Sequence, residues 1–258
     1  MVFRHPNERF SDLLLWSFTP GNSLRFAFTF LASLAFLVSS ARADEFSAVV
    51  SVSSNYFYRG YSKSANDVTA RGNVEYQPRY WFYVGSWISR VDFDDQGFDD
   101  RSNVEFYPYV GVNFKLNDSW RLESSISRYV YDGQLFGKDS DYNEYSAAVH
   151  FSDLITARLA VADDLYHRGD AAIDYELTGR YPITEKLEAS AGLGYNDAKP
   201  VLEYNTLYWN IGLTWFFKYG ALDFRYVDAA HSSLSYGRDA VILPDINNNF
   251  VFSLSVGF

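Results

Sequence analysis

Phe250-Val-Phe-Ser-Leu-Ser-Val-Gly-Phe258, the last nine residues, alternate large apolar and small side chains. With a side-chain period of two, Phe250, Phe252, Leu254, Val256 and Phe258 fall on one face of a strand. In water, an edge strand presenting such a face is an aggregation hazard. In a closed barrel the face meets lipid and the edge disappears into pairing. The segment therefore reads as a membrane strand.

The other end of the chain agrees. Residues 24–38 form an apolar run, Arg4, Arg9 and Arg25 precede or open it, and Ala41-Arg42-Ala43 fits a small-x-small cleavage site. The expected organisation is a cleaved signal peptide over 1–43 and a transmembrane β-barrel over 44–258. The apolar run of about 15 residues is shorter than the roughly 20 that a spanning helix needs. No second long apolar run follows that would stop transfer. The stretch before the apolar core is long for a signal peptide, so translation could start downstream of Met1.

Without the first 43 residues, which carry four basic and two acidic side chains, the chain has 18 basic and 30 acidic residues, a net charge of −12. Nucleic acid is an unsuitable partner for that balance. There is no cysteine, which excludes disulfides, thiol catalysis and thiolate metal sites. Twenty-one Tyr, 22 Phe and six Trp supply the aromatic girdles that a barrel places at its two interfaces.

Period-2 alternation after residue 43 predicts twelve strands, at about 46–58, 68–77, 80–91, 102–115, 120–131, 142–151, 154–163, 171–181, 187–195, 203–216, 221–228 and 249–258. The fold class expected is all-β, a closed antiparallel transmembrane barrel of 12 strands, an even number as bacterial barrels require. Connections alternate in length. Short ones are expected at Pro78, Asn117-Asp118, Ser152-Asp153, 182–186 and 218–220, with longer polar ones between them. Short turns belong in the periplasm and long loops outside, which puts both mature termini in the periplasm.

Parity then assigns faces. On 102–115, Val104, Phe106, Val110, Val112 and Phe114 point out, whereas Glu105, Tyr107, Tyr109, Gly111 and Asn113 point in. On 203–216, Leu207, Trp209, Ile211, Leu213 and Trp215 point out, whereas Tyr208, Asn210, Gly212 and Thr214 point in. Both faces of 80–91 carry aromatics, and parity does not assign it.

Val52-Ser-Ser-Asn-Tyr-Phe-Tyr-Arg-Gly-Tyr-Ser-Lys-Ser64 resembles the opening strand and loop of the TorF-type porins, a bacterial outer-membrane family. Tyr142-Asn-Glu144 and Tyr226-Val-Asp228 resemble later segments of the same family, and Asp163-Asp164-Leu165-Tyr166 matches more loosely. The likeness covers most of the mature chain. It implies a pore in the bacterial outer membrane and names no solute.

Parity directs Arg71, Glu75, Glu105, Arg121, Glu123, Glu144, His150, Arg158, Asp174, Glu176, Arg180, Glu188, Asp223 and Arg225 into the lumen, eight acids against five arginines and one histidine. A 12-stranded barrel is wider than the eight-stranded kind that side chains just fill. Two functions are expected from such a lining. One is a porin-like channel for passive diffusion of small solutes with a weak cation preference, since acidic rings select cations. The alternative is a non-conducting structural or adhesive barrel, its charges paired across the lumen and its long loops doing the work. An acidic-sugar channel would need arginine tracks that this lining lacks. A neutral or cationic solute fits better, with Tyr107, Tyr109 and Tyr208 available to stack on rings.

Expected partners are outer-membrane lipid, lipopolysaccharide at the outer loops, and the barrel-assembly machinery through Phe258. The loop acids Asp92, Asp94, Asp95, Asp99, Asp100, Asp139, Asp141, Asp163, Asp164 and Asp170 match no EF-hand spacing and read as solvated loops that hold divalent ions loosely. No cofactor or metal is expected. His150-Phe151-Ser152 is similar to the pairing of outer-membrane phospholipases, but it abuts a short turn, points inward and lacks a third residue, so no enzyme is expected. His167 and His231 read as loop residues without ligand partners. The connection at 229–248 could fold inward as a constriction or reach outward, and lipid-facing Trp209 and Trp215 leave the oligomeric state open.

Overall fold

The computed structural model describes residues 46–79, 81–95, 97–231, 243–246 and 249–257. The expected signal peptide, Phe258 and residues 232–242 and 247–248 lie outside the described residues. Twelve antiparallel strands close into a barrel: β1 (Phe46–Ser53), β4 (Thr69–Arg79), β5 (Phe82–Arg90), β6 (Val104–Lys115), β7 (Trp120–Tyr131), β8 (Tyr142–Phe151), β9 (Ile155–Ala162), β10 (Ala172–Pro182), β11 (Leu187–Asp197), β12 (Thr206–Phe217), β13 (Gly220–His231) and β14 (Phe250–Gly257). Each of these strands lies beside its neighbours in sequence. The seam is made by β1 and β14, in register from Val49↔Gly257 to Ser53↔Ser253. Closure leaves no unpaired edge, the condition for strands to cross a bilayer.

Short turns and long loops segregate to opposite ends as the sequence predicts. Between β8 and β9, Ser152 and Asp153 have φ of 49° and 55°, the doubly positive pair of a tight hairpin turn that matches strand twist. The outward face is predominantly apolar, with Ser124 and Arg128 on β7 and Arg90 at the end of β5 as exposed polar positions. Ile211 is 61% exposed, Phe252 58% and Trp215 52%, and only a hydrocarbon surrounding makes such a belt favourable. Trp81, Trp120, Tyr181 and Tyr219 ring the short-turn end, and Tyr175, Tyr195 and Phe250 the long-loop end, as interfacial aromatics do.

Several boundaries differ from the pattern reading. Pro78 is inside β4, where the register shifts between Tyr76 and Arg79. A bulge tolerates the missing N–H, so the turn falls two residues later than expected. β12 starts at Thr206, because residues 199–202 form a single helical turn that ends with Glu203 at φ 66°. β13 runs to His231, which makes that histidine a strand-end residue bonded to Thr206 rather than a loop residue. On β5, the strand that parity did not assign, Tyr83 and Ser89 are buried and Val84 and Arg90 exposed.

The largest difference concerns the first strand. β1 stops at Ser53, not near 58, and the chain turns inward as a miniature hairpin, β2 (Phe57–Tyr58) and β3 (Tyr61–Ser62). Arg59 and Gly60 at its tip have φ of 46° and 92°, again the doubly positive turn that Gly permits.

Candidate functional site

The site is built where this hairpin meets the inner wall. A Cβ on Gly60 would collide with Thr206 Cγ2 and lie 3.2 Å from Ala229 Cβ, so the tip is wedged against β12 and β13. Behind the tip, two cations reach the wall. Lys63, fully buried, pairs with Glu105 of β6, also fully buried. The same carboxylate accepts hydrogen bonds from Tyr56 (2.9 Å) and from Tyr131 of β7 (2.8 Å). Lys63 Nζ lies 3.9 Å from the Tyr58 ring centroid and 5.0 Å from that of Tyr129, within cation–π range. Arg59 lies 2.8 Å from Glu144 of β8 and 3.4 Å from Asp174 of β10. Its Nε and that terminal nitrogen lack hydrogen-bond alignment in these ion pairs.

The wall around the hairpin is aromatic. Trp87, Tyr107, Tyr129 and Tyr142 sit on four successive strands and stack in a row, with centroids 6.3, 4.7 and 4.6 Å apart. Arg71 stacks on Tyr56 (4.1 Å) and Trp87 (4.8 Å). From the β9–β10 connection, Tyr166 is fully buried and its hydroxyl lies 2.6 Å from that of Tyr61. Burial pushes both phenols well above their ordinary value, so each keeps its proton and one donates to the other. Tyr166, although it lies in a connection between strands, is thus part of the buried aromatic core. Pro244 O accepts from the Ser62 N–H at 2.9 Å, and Leu243 is buried in the same cluster. The described part of the last long connection therefore folds inward.

The lumen residues expected from parity divide into three groups. Glu105, Tyr107, Arg71, Glu144, Arg158, Asp174 and Tyr208 surround the hairpin: Arg158 bonds Glu144 at 3.0 Å, Tyr208 bonds Asp174 at 2.9 Å, and Glu176 lies 3.4 Å from the Tyr208 hydroxyl. A second network lies toward the short turns, where Arg121 contacts Glu123 and Asp153, Tyr83 donates to Glu123, and Tyr109 donates to Glu75. On the opposite wall, Arg225 joins Asp223, Ser190 and Asn210. Arg180 and Glu188 share the lumen parity of Ser190, Arg180 exposed and Glu188 half-buried. His150 Nδ1 lies 3.0 Å from Thr156 and its Nε2 3.2 Å from Glu123, so both ring nitrogens face partners other than Ser152.

Parity reasoning missed the hairpin's own contribution, Tyr56, Tyr58, Arg59, Tyr61 and Lys63. Two signals were present: Arg-Gly between tyrosines is turn chemistry, and a lumen with eight acids and five arginines is short of cations.

The chain belongs to the Gcw_chp family, described as a bacterial protein of unknown function, whose model matches residues 39–258. No curated protein matches it in sequence. Among solved structures, it is similar to the KdgM porin, at 8% identity over 82% of this chain and 98% of that one, with a TM-score of 0.51. It also matches the NanC porin (10% identity, 82% and 97% coverage, TM-score 0.47) and the translocator domain of the autotransporter NalP from Neisseria meningitidis (10%, 92% and 95%, 0.41). The first of these likenesses shows the fold, a closed antiparallel β-barrel of the kind that porin has. None of the comparisons names the TorF family that residues 52–64 resemble.

Proposed function

We propose that this Gcw_chp barrel is a porin-like channel of the bacterial outer membrane for passive passage of small solutes, shut in the described conformation by its own first loop. One observation carries the reading. β2 and β3 pair with each other in a separate two-stranded sheet, and among the described residues the backbone bonds of residues 56–63 beyond the hairpin itself go to Asp92 and Pro244, which lie in connections and not in barrel strands, so the hairpin can leave without breaking any barrel strand pairing. Withdrawal uncovers a wall in which acids outnumber arginines, which supports a weak cation preference. The likeness of residues 52–64 to TorF-type porins points the same way. Lipid contacts the apolar belt, lipopolysaccharide meets the outer loops, and the assembly machinery engages the C-terminal strand.

The packing around the hairpin favours a second reading, a barrel that never conducts and acts through its loops. Tyr61, Tyr142, Tyr166, Phe93 and Leu135 are all 2% exposed or less. Single-channel recording in planar bilayers under a salt gradient separates the two, using the mature chain and a variant whose residues 56–63 are replaced by a Gly/Ser linker. The channel reading expects steady, weakly cation-selective current from the linker variant. A folded linker variant without current would leave the loop-acting barrel.

A further inference from the structure

We infer that the Lys63 socket is a recognition site for a primary ammonium group, and that Lys63 is its resident occupant. The inference rests on the channel reading and names the solute class: small alkylammonium ions that enter by displacing the hairpin.

Ownership of the contacts carries the argument. Glu105, Tyr129 and Tyr131 belong to β6 and β7 and remain when the hairpin withdraws, whereas Tyr56, Tyr58 and Lys63 leave with it. What remains is complementary to an R–NH3+ group in three respects. The Glu105 carboxylate is fully buried and oriented by the Tyr131 hydroxyl at 2.8 Å, which in turn lies 3.4 Å from Lys63 Nζ as an acceptor. The Tyr129 ring offers its negative face to the same nitrogen. The Tyr107–Tyr129–Tyr142 stack continues along the wall from that point and offers an apolar track for a carbon chain or ring. An alkali cation has no stem to lay along the tyrosines, whereas an ammonium group hydrogen-bonds both oxygen types and its stem packs on the rings. Glu144 and Asp174, 2% and 1% exposed, hold the Arg59 guanidinium on the neighbouring wall. The lumen therefore binds two organic cations already, both supplied by one loop.

n-Butylamine reproduces the Lys63 side chain beyond its Cα and is the probe. In refolded Lys63→Ala barrel, butylammonium should raise Tm saturably, n-butanol should not, and Lys63→Ala/Glu105→Gln should be indifferent to both. In the wild-type barrel, butylammonium should accelerate chymotrypsin cleavage at Tyr58 and Tyr61 several-fold, with saturation, and this measurement stands if the alanine variant does not fold. Absence of both effects, or equal effects from butanol, overturns the socket. Bilayer current separates this failure from that of the channel reading. A linker variant that conducts KCl while the socket ignores butylammonium refutes the ligand and keeps the pore. Saturable amine binding in a linker variant that never conducts keeps the ammonium site, refutes its role in entry and refutes the pore.

Discussion

Replacing Lys63 by Met keeps the volume of the side chain and removes its charge, leaving Glu105 buried without its ion-pair partner. Breaking a buried pair from one side costs about 3–5 kcal/mol, because the surviving charge stays desolvated. The penalty falls on the docked hairpin. When the hairpin is out, Glu105 meets lumen water and loses little. At about 1.4 kcal/mol per tenfold change, the undocked-to-docked ratio should rise roughly a hundred- to a few-thousand-fold. Single-channel recording reads this as open probability, and chymotrypsin cleavage at Tyr58 or Tyr61 reads it without a bilayer. Lys63→Met/Glu105→Gln supplies the control, since neutralising both partners removes the stranded charge and should recover most of the closure. Wild-type current and wild-type protease resistance in folded Lys63→Met would refute the electrostatic latch. Equal opening in the double variant would show that the packing of the lysine stem, and not its charge, holds the hairpin.

Gly60→Ala should also expel the hairpin, because a left-handed φ costs a residue with a Cβ about 1–2 kcal/mol and that Cβ would collide with Thr206; far-UV CD should be unchanged while protease cuts the loop faster. Tyr208→Phe removes the phenol that donates to Asp174, a loss of roughly 1–3 kcal/mol for a buried acceptor left short; it should lower the urea midpoint of the folded barrel in vesicles. Ile211→Arg, at an outward position 61% exposed, should cost roughly 2–4 kcal/mol if that position lies at the bilayer midplane, measured as a lower folding yield into liposomes; an unaffected yield would contradict the lipid-facing assignment of β12.

The barrel was legible because lipid imposes one rule on every strand: alternate residues must be apolar. That rule located all twelve strands and the faces of β6 and β12. Boundaries failed where local backbone chemistry overrides periodicity, at the Pro78 bulge and the Lys199–Leu202 turn. The site was half legible. Glu105, Glu144 and Asp174 were placed in the lumen by parity, yet what they bind came from a loop, and alternation carries no information about where a loop goes. Tyr56-Phe-Tyr-Arg-Gly-Tyr61 continues the apolar texture of β1 and so read as more of the same strand. Its reversal depends on the two positive-φ residues at 59 and 60, a stereochemical event confined to one peptide unit.

The chain order of the hairpin has a consequence for assembly. It emerges directly after the first strand, yet some of its docking partners arrive far later: the Tyr61–Tyr166 contact spans 105 residues, and the Ser62 N–H bonds the Pro244 carbonyl of the last connection. Contacts this remote close only after most of the chain is in place. A C-terminally truncated chain lacks part of the surface that receives the hairpin, so full seating of the hairpin depends on completion of the cylinder. An unfinished wall would hold the hairpin by fewer contacts than the closed cylinder does.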